Sequence, residues 1–387
     1  MKQTLPILEK ARLIHPFIPR YEFPNYNITT TDFKGHQMKA ITKFQKLLPQ
    51  LNLILELRDL RAPLSTRNPL FDKIIMGKNK NIQKVVIYTK KDTMVTSKKS
   101  DNLLILNKLK AWHEQVDEQF MIINANDKED VKNLMKVIKW SKKSLEEQNN
   151  ILPMGYKVLV SGMPNVGKST LVNTLRSISG VKRSEKKNQK VARTGGEAGV
   201  TRSTSESIRI TPDNEPSGIY LIDTPGIGLP GRLTNATNRM LPLSLCGCIK
   251  SNLIDPIIQA DYLLYLMNLQ STKNEERYVF EHGSPSNNIE AVIRRLIKKS
   301  RGLSKTNIQD VDVTNKAASW VNQWRQHHDG DIGVFFDPEI LLEPTEFNYK
   351  EYVENESKKL NSFLSDQNHN SRRSDPNIKY VNDLFGK

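Results

Sequence analysis

The chain has 387 residues, 37% of them hydrophobic and 26% charged. That is too long for one average domain and apolar enough to bury a sizeable core, which excludes a peptide hormone, a lone small binding module and a wholly disordered chain. Lys and Arg outnumber Asp and Glu by 58 to 42, a net charge of +16, so the natural partner is a polyanion, either nucleic acid or an anionic membrane surface. No apolar run approaches the ~20 residues of a membrane-spanning helix. The two cysteines, Cys246 and Cys248, suit neither a zinc clip nor a structural disulfide at that spacing and are expected to be inert, partly buried thiols.

In chain order, residues 1–30 read as an N-terminal extension. Its first twenty residues carry Lys2, Lys10, Arg12 and Arg20 against the single acid Glu9, the acid-poor balance of a mitochondrial presequence. A helical period over Met38–Leu48 is followed by a strand at Asn52–Leu57 and another at Lys84–Tyr88. Helix Leu103–Trp112, strand Phe120–Asn124 and helix Val131–Trp140 come next, then strand Tyr156–Val160, helix Ser169–Leu175, and strands Ser207–Ile210 and Ile219–Ile222. This alternation predicts an α/β domain over 31–233, with a mostly parallel sheet and helices on both faces. After Gly231 the helical stretches Asp255–Met267, Ile289–Lys299 and Asn315–Gln326 predict a smaller helical domain over 234–345, and 346–387 reads as a polar C-terminal tail. Val181–Gly199 and the stretch from about Asp366 onward have little to bury.

Gly162-Met163-Pro164-Asn165-Val166-Gly167-Lys168-Ser169 sits between a predicted strand and a predicted helix. In that setting a G-x-x-x-x-G-K-S run is a phosphate-binding loop: its backbone N–H groups and the helix N-terminus face an anion. Pro164, Asn165, Val166, Gly167, Lys168, Ser169 and Thr170 are therefore expected around a nucleotide's phosphates, with Lys168 bridging the β- and γ-phosphates and Ser169 ligating Mg²⁺. Asp223-Thr224-Pro225-Gly226 ends the last strand, where Asp223 would hold Mg²⁺ through water and the Gly226 N–H would sense a γ-phosphate. Between the two motifs, Thr201 is expected to fold over the nucleotide and give Mg²⁺ a second hydroxyl.

The loop alone does not separate ATP from GTP. GTPases read guanine with Asn-Lys-x-Asp after the Asp-Thr-Pro-Gly turn, yet nothing of that form follows residue 226. Thr89-Lys90-Lys91-Asp92 follows an earlier strand instead, and Asn124-Ala125 follows the next, both at strand ends where open α/β sheets bind ligands. A circular permutation explains every displaced piece at once, with Thr89, Lys90, Asp92, Asn124 and Ala125 on the base.

At these residues the chain resembles the circularly permuted GTPases of ribosome assembly, the YlqF/RbgA group with its mitochondrial ribosome-associated branch. Phe33-Lys34-Gly35-His36-Gln37-Met38-Lys39-Ala40 is similar to the family's F-P-G-H-M-x-K-A, and Asp59-Leu60-Arg61-Ala62-Pro63-Leu64-Ser65-Thr66-Arg67-Asn68-Pro69 to D-A-R-x-P-x-S-S-R-N-P. Arg301-Gly302, Ala317-Ala318, Trp324-Arg325, Gly330 and Gly333 resemble its helical domain. The likeness runs from about residue 30 to 340. It implies a GTP hydrolase in which an aliphatic residue, Ile227, stands near the place where Ras-like enzymes carry a water-orienting Gln. The resemblance nominates His36 to help position water and Asn165 to help bind K⁺, so the expected catalytic set is His36, Asn165 and Lys168. Arg58, Arg61 and Arg67 can be read as catalytic arginines or as structural ones, and structural ion pairs at a strand end are expected.

Nine Lys and Arg against three Glu lie between Arg176 and Arg209, and Arg294, Arg295, Lys298, Lys299 and Arg301 line a second predicted helix. With the resemblance, these imply contact with the rRNA of a mitochondrial large ribosomal subunit or its precursor, by a monomer in the matrix that binds with GTP and leaves after hydrolysis. A competing reading is a GTP-regulated protein whose basic patches meet the matrix face of the inner membrane.

Overall fold

The computed structural model of the protein describes residues 17–26, 28, 48–78, 82–94, 99–148, 152, 154–179, 207–212, 217–228, 237–270, 284–301, 308–326, 333–342 and 347–369. Six strands form one sheet: β1 (Leu53–Asp59), β2 (Gln83–Thr89), β3 (Gln119–Ile122), β4 (Tyr156–Gly162), β5 (Ile208–Arg209) and β6 (Ile219–Asp223). The helices are α1 (Pro69–Lys78), α2 (Lys99–Glu114), α3 (Lys128–Glu147), α4 (Lys168–Ile178), α5 (Thr237–Leu245), α6 (Pro256–Gln270), α7 (Ile289–Arg301), α8 (Asp310–Gln326) and α9 (Tyr349–His369).

Across the sheet the order is β3-β2-β1-β4-β6-β5, and every pairing is parallel except that of β5 with β6. The strands that precede the phosphate loop in sequence thus lie on one side of β4 and those that follow it on the other. Because five strands point the same way, their C-terminal ends share one edge. The register sets Asp59 beside Thr89, Leu57 beside Gly162, and Val160 beside Asp223.

Every residue of β1 is buried, as a strand covered on both faces must be. Glu56, Arg58 and Asp59 are therefore buried too, and the chain supplies their partners. Arg58 donates to Glu56 through Nε and Nη2, 2.9 Å each, and to the Tyr349 hydroxyl at 2.9 Å. The Lys84 ammonium lies 2.5 Å from Asp72 and 2.6 Å from Glu118. The expected ion pairs of Arg58, Arg61 and Arg67 are all present, to Glu56, Asp59 and Asp72.

Helix α6 is buried from Gln259 to Leu269 and packs against α5, α7 and α8, forming the centre of the helical part. Part of the expected N-terminal extension belongs to this packing: Arg20 pairs with Asp261 at 2.6 Å and Phe23 meets Tyr262 edge-on at 5.0 Å. The stretch expected as a polar tail, 346–387, likewise contains α9. Its polar composition hides an inner side on which Tyr349 is fully buried and stacks on Trp112 at 5.7 Å, against α1 and α2. Helices α1 and α5 also exceed the expected set. Pro69 in the first turn of α1 and Asn68 before it are a start signal, Asn68 Oδ1 accepting the Leu70 N–H at 3.1 Å. The expected helix Met38–Leu48 lies outside the described residues except at Leu48, which opens a short 3₁₀ turn. Among the described residues no helix is long and apolar enough to cross a membrane.

Candidate nucleotide site

The loop after β4 curls as its sequence requires. Asn165 adopts φ 59° and Gly167 φ 93°, and Gly167 precedes the first turn of α4, so the helix N-terminus faces the concavity of the loop. Lys168 is buried, with Nζ donating to the Met163 carbonyl at 2.5 Å and the Gly162 carbonyl at 3.2 Å. Burial pushes its pKa down to about 8, against the pull of Asp223. Asp223 is buried with neither carboxylate oxygen hydrogen-bonded among the described residues, and burial raises its pKa to about 6 although Lys168 opposes this. An ammonium satisfied only by carbonyls, close to a carboxylate without a donor, fits a polyphosphate and its divalent cation.

The turn after Asp223 is pressed onto the loop. A Cβ on Gly226 would fall 2.5 Å from Pro164 Cα, which excludes any side chain there. Ile227 donates its N–H to the Gly162 carbonyl at 3.1 Å and receives the Asn68 amide on its own carbonyl at 2.9 Å. Its aliphatic side chain is fully buried. Asn68 was legible only as part of the Arg-Asn-Pro run. Its grip on the turn after Asp223 is a long-range contact that no local pattern announces.

The earlier motif reaches the same place. Thr89 Oγ1 donates to the Val166 carbonyl at 2.7 Å, joining the Thr89-Lys90-Lys91-Asp92 stretch directly to the phosphate loop. Lys90 takes a left-handed backbone (φ 60°) and its ammonium pairs with Asp59 at 2.8 Å. Lys91 ties this loop to the next one: its N–H donates to the Ile123 carbonyl at 3.3 Å, and its ammonium meets Asp130, which also accepts the Asn124 N–H at 2.8 Å. Asp92 is exposed, Asn124 half-buried and Ala125 buried. Both base-reading candidates therefore lie side by side, as their strand-end positions predict. His36 and Thr201 lie outside the described residues, as does the basic segment 181–199.

The Asp59–Pro69 block connects this site to the later part of the chain. Arg61 donates to the Arg325 carbonyl at 3.0 Å and lies over the Phe336 ring. Asp337 accepts from the N–H groups of Leu64 and Ser65 and from the Ser65 hydroxyl. Arg239 on α5 donates to the Arg67 carbonyl at 2.6 Å. Asn165 donates its side-chain amide to the Cys246 carbonyl at 3.1 Å, and both cysteines are buried, unbridged thiols. A Cβ on Gly333 would fall 1.9 Å from the Thr93 carbonyl oxygen, so the segment after α8 backs the loop that follows β2.

A strand–loop–helix phosphate cradle with an Asp-ended neighbouring strand defines a P-loop nucleotide-binding protein. The family model described as "50S ribosome-binding GTPase" matches residues 157–299, and the chain is a GTPase, hydrolysing GTP to GDP and phosphate. It is 49% identical to mitochondrial GTPase 1 of Saccharomyces cerevisiae, over 94% of this chain and 95% of that protein. It is 32% identical to mitochondrial ribosome-associated GTPase 1 of Xenopus tropicalis, over 78% and 92%, and 30% identical to that of Mus musculus, over 80% and 90%. The chain belongs to the mitochondrial GTPase 1 family.

Proposed function

We propose that this GTPase acts in assembly of the large subunit of the mitochondrial ribosome, binding the subunit or its precursor with GTP and leaving after hydrolysis. The relatives' names supply the compartment and the ribosome, and the net charge of +16 suits an rRNA surface. For the site, the observation that carries the reading is the Thr89–Val166 hydrogen bond at 2.7 Å. It supports a circularly permuted domain in which one guanine nucleotide spans both motifs, Thr89, Lys90, Asp92, Asn124 and Ala125 on the base and residues 164–170 on the phosphates.

Lys168 then exchanges its two backbone carbonyls for β- and γ-phosphate oxygens and gains the anion that its burial otherwise denies it. Asp223, Ser169 and Thr201 are the residues to hold Mg²⁺, which supplies charge neutralisation on the phosphates when bound. The Gly226 N–H meets the γ-phosphate. The buried Ile227 cannot align a water, and the family resemblance nominates His36 for that task. Asn165 carries an amide oxygen of the right chemistry for K⁺, whose charge would stabilise the transition state.

Sedimentation with large-subunit particles tests the partner: the protein should travel with them in a non-hydrolysable GTP analogue and remain behind in GDP. Flotation on anionic vesicles without particle binding would overturn the ribosomal reading in favour of the membrane. For the base site, Asp92→Asn should shift preference from guanosine to xanthosine nucleotides, and an unchanged preference removes Asp92 from the base.

A further inference from the structure

Helix α3 shows solvent a row that the nucleotide site does not use. Its inner side is occupied, with Val131, Leu134, Met135, Ile138 and Ser141 buried. Opposite them Lys128, Lys132, Lys136, Lys139 and Lys143 are exposed. Spacings of three and four residues line these ammonium groups along one side of the helix, over roughly 22 Å at 1.5 Å per residue. Trp140, one turn beyond Lys136, lies in the same row and is 63% exposed. The other tryptophans are withdrawn, Trp112 and Trp320 buried and Trp324 half-buried.

The acids of α3 leave the middle of the row uncompensated. Glu129 pairs with Lys132 at 3.6 Å and Glu147 with Lys143 at 3.7 Å, exposed pairs of the kind that salt and water weaken. Among the described residues neither Lys136 nor Lys139, which flank Trp140, has a carboxylate within ion-pair distance; Lys136 meets only the Asn133 side chain, at 2.9 Å. A line of cations with one exposed indole among them complements a single strand of RNA, whose backbone offers successive phosphates and whose unpaired bases offer π-faces. A duplex would meet the lysines but hide its bases from the indole. A membrane-surface helix would need an apolar face, and Trp140 is the sole exposed apolar side chain on α3.

We infer that α3 is an RNA-docking surface, with the lysine row on phosphates and Trp140 stacked on an unpaired base. This rests on the ribosomal reading and adds a surface to it. The site has a route to the nucleotide, because Asp130 in the first turn of α3 holds both Lys91 and the Asn124 N–H.

The test uses the full chain and three probes: an end-labelled single-stranded RNA decamer, an RNA duplex of equal length, and vesicles rich in anionic phospholipid. Trp140→Ala should weaken binding of the single strand about 5- to 100-fold and leave the duplex within twofold. The double variant Lys136→Glu, Lys139→Glu should weaken both RNAs and lower the salt slope of binding by about 2, with basal GTP hydrolysis unchanged in each variant. Unaltered single-strand binding by Trp140→Ala, equal losses on strand and duplex, or binding to vesicles alone would each overturn the proposal. If both variants still sediment with large-subunit particles as the parent does, α3 is not the docking surface while the ribosomal reading stands. A parent that ignores the particles sinks both.

Discussion

Two groups of buried charge border the same sheet and are settled in opposite ways. In the block around β1 the chain answers its own charges. Burial works to raise the Glu56 pKa, yet Arg58 and Lys84 hold it at about 2, and Arg61 and Lys90 hold Asp59 lower still. At the phosphate loop burial prevails: Lys168 is pushed down to about 8 and Asp223 up to about 6, because the pull of each on the other does not offset the burial of either. Charges balanced within the chain join its parts, whereas those left unbalanced are shaped for a ligand.

The largest test of this contrast is Arg61→Met, which strands Asp59 in the interior with Lys90 as its remaining cation. It should cost about 3–5 kcal/mol of stability in a urea melt, and an unchanged melt would show that the block is not a structural joint. Lys168→Met should do the reverse. Hydrolysis measured at saturating GTP should fall by about 10²–10³-fold, while stability holds or rises, since a buried cation whose burial outweighs the pull of Asp223 has been removed. A melt lowered as far as that of Arg61→Met breaks the comparison.

Between the two regions stands Asn68. Removing its amide in Asn68→Ala leaves the Ile227 carbonyl unpaired, a loss of about 1–3 kcal/mol. That loss should appear as weaker binding of a non-hydrolysable GTP analogue with a smaller effect on GDP. Equal losses for the two nucleotides would make Asn68 a simple helix cap.

The smallest effect is in protons. Phosphate beside Lys168 should return its pKa towards the ordinary range, so GTP binding at pH 8.5 takes up part of a proton, and at pH 6.5 this group takes up almost none; calorimetry in buffers of different ionisation enthalpy reads the difference. Asp223 has the opposite sense. Its folded pKa near 6 lies above its ordinary 3.8, so the nucleotide-free protein loses stability from this group as pH rises from about 4 to about 6. Mg²⁺ binding should release a proton at the acid end of that range.

The sheet and the phosphate loop were readable in advance because their signals are local: β-branched runs, a glycine-rich turn, a helical period. The adjacency of Thr89 and Val166 was also foreseeable, since parallel strands deliver their ends to one edge. The fastening of later residues onto Asp59–Pro69 was not. Asp337 on the Leu64 and Ser65 N–H groups and Tyr349 on Arg58 join positions more than 270 residues apart, through single side chains with no periodic pattern. The polar composition after residue 346 pointed to a tail, because a few buried residues such as Tyr349 and Leu360 hardly change an average.

The contact of Gly333 with Thr93 has a bearing on how the molecule is born. A chain made, or threaded through a translocation pore, from its first residue onward acquires β2 and the loop after it early, but gains the backing for that loop only some 240 residues later. Until then the newly emerged chain lacks one wall of the loop after β2, and a product broken off before residue 333 would keep the phosphate cradle without that support.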